Sequence, residues 1–153
     1  MPRPLILALV ALAIETAPCS AQLVVQGIRD LDFGTVIQGV AATVTASDPT
    51  RSGQFYFKTP ALGTRIRIQF TLPTQLNGPS GATMPITFGT SDAMAKGTAP
   101  TSNPVSFNPN TTATFTMTSS VDANVWLGGR VTPAAAQRVG SYSNTIVMTV
   151  TIF

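Results

Sequence analysis

Apolar and polar residues alternate with period two along much of the chain, and no stretch beyond residue 22 carries a helical period. The sharpest case runs from Thr64 to Leu72. Ile66, Ile68, Phe70 and Leu72 fall on one face, and Arg65, Arg67, Gln69 and Thr71 on the other. Successive side chains of a strand point to opposite faces, so this spacing predicts a half-buried strand with a solvated basic face. The C-terminus repeats the pattern. Tyr142, Ile146, Met148, Val150 and Ile152 alternate with Ser143, Thr145, Val147, Thr149 and Thr151. β-Branched residues dominate it, as suits a pleated surface. Further strands are predicted at Leu23–Val36, Ala41–Ala46, Gln54–Thr59, Met84–Phe88, Thr112–Thr118 and Val121–Val131.

Turn chemistry separates these runs: Asp48-Pro49, Asn77-Gly78-Pro79, Gly97, Asn103-Pro104, Asn108-Pro109-Asn110 and Gly128-Gly129. Short strands spaced by turns predict an all-β sandwich or barrel. Residues 89–111 are rich in Gly, Pro, Ser, Thr and Asn, and read as a long surface loop with one short strand, Val105–Phe107. Such a loop is either a tolerated insertion or a binding loop.

Length bounds the fold: 153 residues make one domain. Residues 1–21 are expected to be a cleaved secretory signal peptide, and 22–153 a single β-sandwich domain. Arg3 supplies the positive start, and Leu5–Ile14 is an unbroken apolar run. As a helix that run spans about 15 Å, half a bilayer's hydrocarbon core, so it is too short for an anchor. Cys19 and Ala21 place small residues before a cleavage site at Gln22. Cleavage there removes the only Cys and the only Glu, and leaves a chain without Cys, His or Glu. No membrane-spanning segment is expected in the mature chain.

These absences narrow the chemistry. Nucleophilic catalysis needs a base beside its nucleophile, and without His only Lys58, Lys96 and five aspartates remain. Asp30 and Asp32 read as polar residues flanking Phe33 rather than a catalytic pair. Zinc wants Cys or His. No calcium loop, phosphate loop or dinucleotide fingerprint occurs. The expectation is no catalytic, cofactor-binding or metal residues. The formal charge of +3 is scattered, with no basic run, so no nucleic-acid partner is expected. Phe55 and Phe57 are expected inside with Tyr56 and Lys58 outside. Trp126 lies on the face opposite Val125 and Leu127, and is expected to be partly exposed.

Three segments together resemble a known group of bacterial surface proteins. The first is Asp30-Leu31-Asp32-Phe33-Gly34-Thr35-Val36 with Gly39. The second is Thr64 to Leu72 leading into Pro73, then Met84 and Phe88. The third is Leu127-Gly128-Gly129-Arg130-Val131, then Gly140-Ser141-Tyr142-Ser143-Asn144-Thr145 and the terminal strand. Their order is similar to the domain-of-unknown-function family numbered 4402, and to the related spore coat protein U domain of archaic chaperone–usher pili. The resemblance implies an immunoglobulin-like antiparallel sandwich, complete or lacking one edge strand, exported to the periplasm and cell surface of a Gram-negative bacterium. It implies a non-enzymatic, structural or adhesive subunit of a pilus-like fibre, assembled by donor-strand complementation. The partners would be a periplasmic chaperone, an usher and other pilus subunits.

In that scheme Phe33 is a core anchor with Gly34 a bend beside it. Gly128 and Gly129 permit a kink, and Tyr142, just after Gly140, packs at the sandwich corner. Ile146, Met148, Val150, Ile152 and Phe153 form the edge on which a chaperone or donor strand would pair, with Phe153 closing the apolar face. The other reading of that strand is a central one, paired on both sides. Spore coat U domains carry cysteines and this mature chain has none, so it sits nearer the first family. Cleavage after Ala21 would leave only Gln22 to Arg29 as a donor arm, which fits a tip or stand-alone member. The alternative function is a stand-alone secreted module that binds a glycan or protein through the 89–111 loop or the Trp126 face.

Overall fold

A computed structural model describes residues 22–97 and 103–153. The expected leader, residues 1–21, lies outside the described residues. In chain order the strands are β1 (Val24–Arg29), β2 (Ala42–Val44), β3 (Gly53–Lys58), β4 (Arg65–Thr71), β5 (Gln75–Asn77) and β6 (Thr83–Thr87). There follow β7 (Ala93–Lys96), β8 (Val105–Phe107), β9 (Ala113–Thr116), β10 (Asp122–Leu127), β11 (Gly129–Val131) and β12 (Val147–Ile152). The only helical element among the described residues is a 3₁₀ turn at Pro79–Gly81. Among the described residues no helix is long and apolar enough to cross a membrane.

All strand pairs are antiparallel, as the sequence predicts for a sandwich. One layer is a five-stranded sheet in the order β1-β3-β10-β7-β8. It faces a three-stranded sheet, β12-β4-β9. A four-stranded sheet, β2-β11-β6-β5, continues from the first layer. The alternation in β4 decides which side of it is core: Ile66 and Ile68 are fully buried and Phe70 nearly so, while Arg65, Arg67, Gln69 and Thr71 are exposed. They meet Phe57, Val125 and Leu127 of the facing sheet, all with no exposure. Each such side chain contributes about 1.5–3 kcal/mol by leaving water. A second cluster, Phe33, Val44, Met84, Ile86 and Val131, fills the four-stranded end.

Gly128 is the hinge between the sheets. A Cβ there would lie 2.4 Å from the Val44 carbonyl oxygen and 2.7 Å from the Ala46 nitrogen. Only glycine lets the strand pass so close as it leaves the five-stranded sheet and enters the four-stranded one. Its N–H donates to the Asp92 carbonyl at 2.7 Å, so the crossing costs no backbone hydrogen bond.

Three expectations need correction. Within residues 89–111 there is a second strand, β7, and its Ala93 and Ala95 are fully buried beside β10. Alanine is depleted in strands, so Ala-Met-Ala-Lys carries little strand signal. The Leu23–Val36 run stops being a strand at Arg29, and Asp30 and Asp32 lie beyond it. Asp32 turns back to accept the Gly34 N–H at 2.7 Å, and Gly34 takes a φ of 62°. The terminal strand begins at Val147, not Tyr142. Residues 142–146 leave the sheet because Ser143 pairs with Asn77 instead, with hydrogen bonds of 2.8 and 2.9 Å.

Candidate functional site

The facing sheets close at one rim and stay open at the other. Phe107 of β8 and Phe115 of β9 meet edge to face, their centroids 5.3 Å apart, and Phe107 also stacks on Phe70. Phe55 of β3 meets Phe70 of β4 at 5.6 Å. With β8 over β9 and β3 over β4, the sheet orders place β1 and β12 together at the opposite rim. There the inward side chains are uncovered. Val25 of β1 shares its face with buried Phe57, its register partner, yet remains 39 % exposed. Ile152 of β12 points the same way as buried Met148 and Val150, yet is 45 % exposed.

β12 pairs with β4 through six consecutive residues without a bulge. Among the described residues it has no strand on its far side. One row of its backbone N–H and C=O groups therefore lacks a strand partner. Edge strands are ordinarily blunted by charge, proline or a bulge, and Val-Met-Thr-Val-Thr-Ile has none of these.

Beyond this rim the space widens into a groove of about 1100 Å³. Gly27 of β1 and Ile146, just ahead of β12, both line it. So do Phe33, Leu76, Met84, Ile86 and Val131 of the second core cluster, and Leu127 of the first. Its volume exceeds the range of about 300–1,000 Å³ usual for small-molecule sites.

Both walls are pinned by polar contacts. On one wall, Asp48 accepts hydrogen bonds from the Thr50 and Arg51 N–H groups at 2.9 and 2.8 Å. Those two backbone bonds, chiefly, hold its carboxyl below the ordinary 3.8. Arg51 reaches on to the Asp32 carbonyl at 3.1 Å and to the Phe33 carbonyl. On the other wall, the Tyr142 hydroxyl donates to the Arg138 carbonyl at 2.7 Å and accepts from Gln137 at 2.6 Å. Its ring lies where a Gly78 side chain would be, at 2.3 Å from that missing Cβ. Gly140, with a φ of 146°, passes Pro79 so that a Cβ would lie 2.6 Å from its ring.

The structure thus gathers Phe33, Gly34, Gly140, Tyr142 and Ile146 around the groove. Gly128 and Gly129 instead serve the strand crossing, Gly129 lying under the Phe88 ring. Met148 and Val150 are buried core, and only Ile152 of that set is at the open rim. Phe153 does not close the apolar face: its ring sits between Arg65 and Arg67 on the outer side of the sheet, 4.7 and 4.8 Å from their guanidinium carbons. The one-residue alternation of a strand dictates this, since Ile152 already points inward. Sequence reasoning missed Leu76, Met84, Ile86 and Val131 as groove residues. Their inward parity was legible, but not that this buried cluster borders a groove.

Among the described residues no cluster of His, Cys, Asp and Glu could hold a metal ion. No protein-family model matches the chain, and no curated protein sequence does.

Proposed function

We propose that this chain is a structural subunit of a pilus-like or cell-surface fibre, and that its groove accepts an extended strand from a second polypeptide. The observation that carries the reading is the open rim: β12 is an unblunted edge beside a groove of about 1100 Å³. A strand laid there would pair its backbone with β12 and set alternate apolar side chains over Val25 and Ile152. This is β-augmentation, in which the ladder supplies affinity and side-chain pockets supply specificity. The motif resemblance to the 4402 family and the spore coat U domain points the same way, toward export and donor-strand complementation. A chaperone would fill the groove first, and a neighbouring subunit later.

The test is thermal unfolding of the isolated chain with and without extended apolar-alternating peptides. A strand acceptor aggregates or swaps strands when alone. A peptide at about a hundredfold its Kd should then stabilise it by about 2.7 kcal/mol. A cooperatively folded monomer, indifferent to every added strand and to a co-expressed chaperone, would remove this reading.

A further inference from the structure

The outer face of the five-stranded sheet presents a second set of side chains, on the side of the sheet away from the core. The register sets them in rows. Gln26, Tyr56, Asn124 and Lys96 form one row across β1, β3, β10 and β7. Gln54, Trp126 and Met94 form the next, and Lys58 and Asp122 stand together on the far side of the first. Rows two residues apart are separated by about 6.6 Å. Tyr56 and Trp126 are therefore diagonal neighbours on adjacent strands, flanking the Gln54–Asn124 pair.

These groups are held in place. The Tyr56 hydroxyl donates to the Asp122 carboxylate, and Gln54 donates to the Asn124 side-chain oxygen at 3.1 Å. Tyr56, Gln54, Asn124 and Trp126 are each half-buried, so their rotamers are constrained before anything binds. Hydrogen-bonding capacity is left over. The Asn124 amide N–H groups, the Gln54 side-chain oxygen and the Trp126 indole N–H have no hydrogen-bond partner among the described residues. Lys58 and Lys96 are exposed and form no ion pair among the described residues.

We propose that this face binds a saccharide chain carrying carboxylates. The indole and phenol rings offer flat apolar surfaces to pyranose faces. The leftover amide and indole groups match sugar hydroxyls, and the two unpaired lysines complement the carboxylates. The single carboxylate on the face, Asp122, stands opposite Lys58 and offsets part of its charge, so the two lysines leave the face with a net positive charge carried chiefly by Lys96. A single-stranded nucleic acid is the less suited occupant, because it needs a basic groove that tracks its phosphates, and two lysines do not make one. The site lies on the opposite side of the sheet from the groove, so the two proposals stand or fall separately.

The test is calorimetric titration of the full chain with oligomers of galacturonate, alginate, hyaluronate and polysialate, with the carboxyl-reduced form of any that binds, and with oligo(dT). At least one acidic oligomer should bind. Trp126→Ala should weaken it about tenfold or more, with Trp126→Phe retaining part of the affinity and the wild-type melting temperature. The double variant Lys58→Gln/Lys96→Gln should abolish the preference for the acidic over the reduced oligomer. Arg67→Ala, on the outer face of the other sheet, should change nothing. Failure of the whole panel to bind, affinity indifferent to Trp126→Ala, or preference for oligo(dT) would each overturn the proposal.

Discussion

The two rims of this sandwich are both apolar, but one is filled by aromatic rings and the other by aliphatic side chains. At the β8–β9 rim, Phe107 and Phe115 interlock and carry the core to the edge. At the β1–β12 rim, Val25 and Ile152 point inward and meet no equivalent cover. Valine and isoleucine are fully buried elsewhere in the same layers, at Val125 and Ile68. Among the described residues both rims end in strands unpaired on one side, and Val105 of β8 is 36 % exposed beside buried Ala95. The β1–β12 rim is set apart because it adjoins a groove of about 1100 Å³. Exposed apolar surface next to an unpaired backbone edge is the feature on which the proposed strand acceptance rests.

The sharpest way to test this comparison holds residue type constant. Ile68→Ala should cost about 2–5 kcal/mol, because it opens a cavity in packed core. Ile152→Ala removes the same atoms from a half-exposed position and should cost about 1 kcal/mol or less. Urea unfolding of both variants reads the difference. Equal costs would mean that the β1–β12 rim is covered in solution.

A somewhat smaller effect is expected at the junction between the closed and open halves. Gly128→Ala pushes a methyl group into the Val44 carbonyl, and overpacking of this kind costs about 1–3 kcal/mol. The backbone has to shift where β10 becomes β11, so the second cluster around Val131 should loosen before the Ile68 core does. Amide exchange that rises equally in β4 and β11 would break the distinction between the halves.

At the open rim itself, charge should matter for binding and little for folding. Val25→Lys places an ammonium group at the half-exposed β1 edge, where its long stem can reach water. The fold should lose about 1 kcal/mol or less, while any stabilisation by an added strand peptide disappears. Val125→Lys, an inward valine at the sheet's centre, should not fold. A Val25→Lys chain that still accepts a strand would place the strand elsewhere.

How much of this was legible beforehand depended on whether the signal was local. The β4 strand was read almost to its ends because Arg65 to Thr71 alternates strictly. The family resemblance implied a bend at Gly34 and a kink at Gly128-Gly129; Gly34 has a φ of 62°, and Gly128 passes close to the Val44 carbonyl. β7 was lost because alanine signals strand poorly, although burial at Ala93 is complete. The departure of residues 142–146 was lost for another reason. Alternation assigns a side chain to a face and not to a sheet, and here Ser143 finds Asn77 rather than β4. The groove is least legible of all. Ile86 and Ile68 have the same pattern in sequence and are both buried, and only the fold shows that Ile86 borders the groove.

The smallest effect expected is an acid response confined to the open half. Asp48 binds its proton less tightly in the folded chain than in the unfolded one, because the Thr50 and Arg51 amides already hold its carboxylate. The sign follows: its stabilisation is present above the ordinary value of 3.8 and is lost as pH falls through the lower folded value. The same loop positions Arg51 against the Asp32 and Phe33 carbonyls, and the Asp32 N–H donates back to the Arg51 carbonyl at 2.9 Å. Acid should therefore release the groove wall first. As pH falls below 3.8, protection of the Arg51 and Asp32 amides should fall while that of Ile68 holds. Asp48→Asn should lower protection of this wall at neutral pH and flatten its dependence on acid. If the wall and the Ile68 core instead titrate together, the two halves unfold as one unit, and the open side is no softer than the closed one.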